Sequence, residues 1–261
     1  MNKKSILYLL FTLLITGIFW GSIFFLARAG LSEFGEPIFM ILFLLGGFGP
    51  TLAPFIAIAL IEGKAGLRDY RKRLFKFKVS AWYYLIPLIS LLVLGLIPAL
   101  INNSTSSLLY AFTDTPVLMI LVFFIQSILL GGLEELGWRG FLQHELQEKY
   151  HLGIVYLIVW VTWTIWHLPL FFIPGVSQYG QNFWVFGIYT LFFSLLLGWA
   201  YGRTRSIPVA VFGHALVNLL AAIGYLDFLN KGMVHWLTIV VTLILLLGLH
   251  LVWPFGKYSE Q

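Results

Sequence analysis

The chain contains no cysteine. Disulfides, thiolate zinc sites and cysteine nucleophiles are therefore excluded. Charge is also scarce: Asp, Glu, Lys and Arg make up 10% of the 261 residues, where soluble domains carry roughly 25%. Hydrophobic residues make up 60%, and the mean hydropathy is +0.91. A soluble domain is excluded. An all-α polytopic membrane bundle is expected, because helices satisfy their own backbone groups in lipid. The net charge of +5 would suit a nucleic-acid partner, but the basic residues gather in loops, as membrane orientation alone requires. No nucleic-acid role is expected.

Other absences narrow the chemistry. No aspartate falls inside an apolar run, so an intramembrane aspartyl protease is excluded. His144-Glu145-Leu146-Gln147-Glu148 begins like H-E-x-x-H but ends in Glu, so the zincin motif is missing. Ser127 and Ser194 lack the glycine context of a rhomboid-like nucleophile. There is no internal repeat, which argues against a small carrier built from matching halves.

The apolar runs predict about eight spans in one integral-membrane domain, residues 1–261, with a motif-bearing core at about 117–224. They fall at 5–26, 37–61, 82–101, from 117 into an acidic motif, 152–172, 183–201, 208–224 and 233–253. Gly17 and Gly21 suggest a helix-packing face. Gly46 to Pro54, rich in small residues and proline, should kink the second span. Residues 62–78 carry Lys64, Arg68, Arg71, Lys72, Arg73, Lys76 and Lys78, with Leu67, Tyr70 and Leu74 at helical spacing. That pattern predicts a basic amphipathic helix on an anionic membrane surface. Residues 102–116 and 173–182 lack Lys and Arg and read as external loops, whereas 143–151 reads as cytoplasmic. In this topology only Arg28 and Lys231 lie outside, so both termini are expected in the cytoplasm.

Only two acidic residues belong to a span: Glu134 and Glu135, within Gly131-Gly-Leu-Glu-Glu-Leu-Gly-Trp-Arg-Gly140. An ionisable group in hydrocarbon costs a few kcal/mol or more and marks a functional site by default. On a helix the two carboxylates point about 100° apart, while Glu135 and Arg139 are i,i+4 neighbours. Glu135 can pair with Arg139, leaving Glu134 free as a general base. The alternative is a packing ion pair with one solvated glutamate. His167 and His214 sit inside other spans, and Asn218 lies one turn beyond His214 on the same face. A lone membrane histidine is usually an interhelical hydrogen-bonder. Two of them beside a glutamate and an asparagine favour a site.

Glu134-Glu135-x-x-x-Arg139, Trp163-x-x-x-His167 and His214-x-x-x-Asn218, in that order, resemble the three motifs of the CAAX prenyl protease and bacteriocin-processing (CPBP) family of intramembrane proteases. Gly49-Pro50 and Gly66-Leu67-Arg68-Asp69 fit the same family. Trp163 stands where that family usually has Phe, a change that a packing aromatic should tolerate. The resemblance implies that Glu134 activates water, His167 positions it, and His214 with Asn218 stabilises the oxyanion. Glu135 and Arg139 would hold the motif's geometry. Family members are named metalloproteases, and a metal-free glutamate mechanism has also been argued for them. Glu134, His167 and His214 would give zinc three ligands and one open position.

The expected substrate is a hydrophobic or membrane-anchored peptide or protein, met at the bilayer. The Met-Asn-Lys-Lys start and compact length suggest a bacterial plasma membrane, and hence bacteriocin immunity or peptide processing. A non-catalytic immunity or scaffold protein is the alternative function. At about 1.5 Å per residue, Glu134 and His214 would lie roughly 10–15 Å below the cytoplasmic ends, and His167 nearer 20 Å. Access from the cytoplasm is therefore expected.

Overall fold

The computed structural model describes residues 2–101 and 103–226, with positions 240, 244 and 248. The expected eighth span, 233–253, otherwise lies outside the described residues. Those residues form helices and turns without a strand.

Helix α1 (Lys3–Arg28) is capped by Asn2, whose side-chain oxygen accepts from the Ser5 amide at 2.8 Å. The second span is broken. Helices α2 (Pro37–Gly47) and α3 (Gly49–Ile61) meet at Phe48 with a 47° bend, where glycines and Pro50 interrupt the helix, as the sequence predicts. The bend is fixed against α1: Thr16 Oγ1 donates to the Gly46 carbonyl at 2.8 Å and Trp20 Nε1 to the Phe43 carbonyl at 3.0 Å. These contacts use one face of α1. Gly17 and Gly21, expected to pack on a helix, face open space instead.

The basic stretch folds as α4 (Gly63–Leu74) and leads into α5 (Trp82–Ile101). Residues 102–116 hold a further short helix, α6 (Thr105–Thr113), rather than a plain loop. Helix α7 (Val117–Leu130) stops at Gly131. A 3₁₀ turn (Gly132–Glu134), the single turn α8 (Glu135–Gly137), a π-helical stretch (Trp138–Gln143) and α9 (His144–Gln147) continue the span. The chain then forms α10 (Leu152–Trp166), a 3₁₀ segment (Leu168–Phe172), α11 (Phe183–Thr204) and α12 (Ile207–Ala222). Among the described residues, five stretches are long and apolar enough to cross a membrane, or six with the bent pair counted as one, while α12 is shorter.

Helix α12 is the centrepiece, packed on α5, α7, α8 and α11. Leu10, Phe25, Leu121 and Ile125 on the outer faces of α1 and α7 are exposed, as lipid-facing side chains would be. One end of the bundle is tied by polar contacts. Lys4 pairs with Glu62 and, at 3.1 Å, with Glu145. Asn2 donates to Glu145 at 2.8 Å, Arg205 to His144 Nδ1 at 2.8 Å, and Ser206 to the Lys76 carbonyl at 2.6 Å. Part of the stretch expected to be cytoplasmic is interior: Gln143, Leu146 and Gln147 are buried, and Gln143 donates to the Gly198 carbonyl at 2.8 Å.

Candidate active site

The break after Leu130 allows the acidic motif to meet α12. A Cβ at Gly131 would collide with Asn218 Nδ2 and stand 3.0 Å from His214 Nε2. Glycine therefore lets those two side chains lie directly on the backbone where α7 ends. Gly137 plays the same part towards α3: a Cβ there would run into the Pro50 carbonyl and the Tyr8 hydroxyl. The irregular turns are held from outside. Thr51 donates to the Leu133 carbonyl at 3.0 Å and Tyr70 to the Leu136 carbonyl at 2.7 Å. Carbonyls freed from regular helix bonding are thus paired. Burial pushes the Tyr70 phenol well above the usual tyrosine range, so it remains a donor.

The two carboxylates have different surroundings. Glu135 is fully buried; its Oε1 accepts from Arg139 Nη1 at 2.7 Å and from His214 Nδ1 at 2.8 Å. The i,i+4 ion pair expected from the sequence is present, and it also anchors the histidine. Glu134 takes no part in that pair. It lines a cavity of about 510 Å³, and its Oε2 accepts from Trp163 Nε1 at 2.9 Å and Trp138 Nε1 at 3.3 Å. His167, His214 and Asn218 line the same cavity. Four of the six residues singled out by sequence therefore converge on one space. The other two, Glu135 and Arg139, stand behind it.

Both histidines use Nδ1 for support. His167 Nδ1 lies 2.9 Å from the Trp163 carbonyl, which can only accept, so this nitrogen carries the proton. His214 Nδ1 faces the Glu135 carboxylate and donates by the same argument. Nε2 of each ring is left for chemistry. Among the described residues, no three His, Asp or Glu side chains group closely enough to hold a metal ion. Glu134, His167 and His214, as placed, do not make the expected zinc ligand set.

Sequence reasoning missed the tryptophans. Trp163, expected only to pack, donates to Glu134, carries the Arg139 guanidinium 4.8 Å above its ring, and meets His214 edge-on at 5.3 Å. Trp138 is the i+4 neighbour of Glu134, the same spacing that identified the Glu135–Arg139 pair, so its role was readable. The Trp163 bond crosses between spans and left no local signal.

The comparisons agree with the motifs. Residues 116–220 match the family model described as type II CAAX prenyl endopeptidase Rce1-like. The CAAX prenyl protease 2 of Methanococcus maripaludis is 31% identical over 231 residues, covering 82% of each chain. With that identity over most of its length, the chain belongs to the Rce1-like CAAX prenyl endopeptidase (CPBP) family of membrane-embedded peptidases.

Proposed function

We propose that the chain hydrolyses a peptide bond in a membrane-proximal peptide or protein, using water activated by Glu134. The observation that carries this reading is the convergence of Glu134, His167, His214 and Asn218 on one apolar-walled cavity, with Glu135 and Arg139 neutralising each other behind it. Glu134 takes a proton from water as the water oxygen bonds to the scissile carbonyl carbon. His167 Nε2 holds that water in line. Charge develops on the carbonyl oxygen, where Asn218 Nδ2 is the available donor; His214 Nε2, an acceptor while Nδ1 carries the ring's one proton, adds a second donor once the ring is an imidazolium held by Glu135. Glu134 then returns its proton to the amide nitrogen as the C–N bond breaks, giving a carboxylic acid and an amine. The Glu135 carboxylate fixes the His214 tautomer and ring orientation. The steps rest on side chains alone; among the described residues, no three His, Asp or Glu side chains group closely enough to hold a metal.

The test uses purified chain with a library of membrane-proximal peptides. Glu134→Gln keeps the shape and removes the base, so turnover should fall about 10²–10⁴-fold. Asn218→Ala should cost about 10²–10³-fold if it serves the oxyanion. Equal cleavage by wild type and Glu134→Gln would overturn the assignment. Activity lost on chelation and restored by zinc would overturn the metal-free form of the mechanism.

A further inference from the structure

Helix α7 is apolar except for Gln126 and Ser127. Ser127 is buried, whereas Gln126 is exposed. Gln126 also lines the cavity that holds Glu134, together with Leu129 and Leu130 of the same helix. These positions, i, i+3 and i+4, share one helix face. Leu118, Leu121 and Ile125 are exposed on α7 as well but are not part of the lining. Gln126 therefore belongs to the stripe that walls the cavity. Among the described residues, nothing bonds to its side-chain amide. Other neutral polar side chains of the lining are committed. Ser177 donates to Gln178 at 2.8 Å, Gln181 to the Ser177 carbonyl at 2.7 Å, and Thr190 to the Gly187 carbonyl at 3.0 Å. From α2 the lining takes Met40, Phe43, Leu44 and Gly47, none with a polar side chain. A polar group on an apolar wall is costly unless something bonds to it.

We infer that Gln126 is a substrate-binding residue, whose amide pairs with the main chain of an extended peptide lying along α7. A glutamine offers a carbonyl acceptor and an NH₂ donor, the match for a peptide N–H and C=O. A chain entering an apolar cavity has main-chain groups that water no longer satisfies. Gln126 is eight positions before Glu134, about 12 Å along the span at 1.5 Å per residue. An extended chain rises about 3.3 Å per residue, so the bond to Gln126 falls about three or four residues from the scissile bond. At that position the substrate is recognised by its backbone and not by a particular side chain. The inference rests on the proteolytic reading for what happens at Glu134, but not for what occupies Gln126.

Gln126→Met keeps the length of the side chain and removes both hydrogen-bonding groups. With a peptide that the wild type cuts, KM should rise about three- to tenfold while kcat holds. The same peptide, with an ester replacing the amide three or four residues from the scissile bond, should show a similar rise with the wild type and no further rise with Gln126→Met. An unchanged KM, or losses that add at every ester position, would overturn the inference. The absence of cysteine gives a second readout that needs no turnover. Gln126→Cys and Ile125→Cys, each in the full chain, are offered the membrane-proximal peptide library with one cysteine in each peptide, under oxidising conditions. Both positions are exposed, so neither substitution opens the core. Disulfide trapping at Gln126→Cys and not at Ile125→Cys is the expected result. Trapping at both alike, or at neither, would overturn the subsite. Trapping at Gln126→Cys by a chain that cleaves nothing would sink the proteolytic reading and leave the subsite standing.

Discussion

Trp163 shows what a single side chain adds to this site. A phenylalanine there would keep the ring under Arg139 but leave Glu134 without its shorter indole bond. A hydrogen bond to a charged group contributes about 1.5–3 kcal/mol. Trp163→Phe should therefore lower kcat about ten- to a hundredfold while the thermal midpoint moves little. A lowered midpoint with kcat unchanged would return Trp163 to a packing role. Arg139 should behave differently. It pairs with Glu135 where both are fully buried, so Arg139→Met leaves that carboxylate with His214 as its remaining partner and should cost about 3–5 kcal/mol. Chemical unfolding in detergent would measure it, and a loss below about 1 kcal/mol, the range of exposed pairs, would contradict the assigned burial. At this scale much was legible in the sequence. Glu134, Glu135, Arg139, His167, His214 and Asn218 stood out because polar groups are costly in an apolar run. The indole donors did not stand out, because tryptophan is at home in lipid and its N–H shows no preference until a partner is known.

At the scale of elements, the span carrying the acidic motif departs furthest from a plain helix. Its 3₁₀ and π-helical turns are stitched to α3 and α4 by Thr51 and Tyr70. Tyr70→Phe removes one neutral hydrogen bond and should cost about 1 kcal/mol, with a matching rise in exchange at the amides around Leu136. Gly137→Ala tests the approach of α3, since its methyl group meets backbone that cannot swing aside. It should destabilise by about 1–3 kcal/mol, as overpacking does; a neutral outcome in a thermal melt would contradict the close contact. The sequence showed where α1, α5 and α11 lie because each is a long apolar run. The kink at Phe48 was legible from its glycines and prolines. The helix within 102–116 was not: nine residues of mixed polarity carry too weak a period. Gln143 and Gln147 misled for a related reason. Their polarity suggested solvent, whereas it serves bonds between helices.

For the whole molecule, ion pairing is unevenly distributed. Among the described residues, pairs between elements lie at the basic end or beside Glu135. Glu145→Ala removes partners of both Asn2 and Lys4. These groups are only partly buried, so the loss should be about 1 kcal/mol or less, and initial turnover should match wild type. A large fall in turnover would tie the basic end to the reaction. Away from the polar clasp around Lys4 and from Glu135, the helices are joined by neutral hydrogen bonds, such as Trp166 Nε1 to Thr16 Oγ1 at 2.8 Å and Trp160 Nε1 to the Gly187 carbonyl at 2.8 Å, and by ring contacts. Added salt should therefore loosen only the clasp, because the neutral bonds elsewhere carry no net charge to screen.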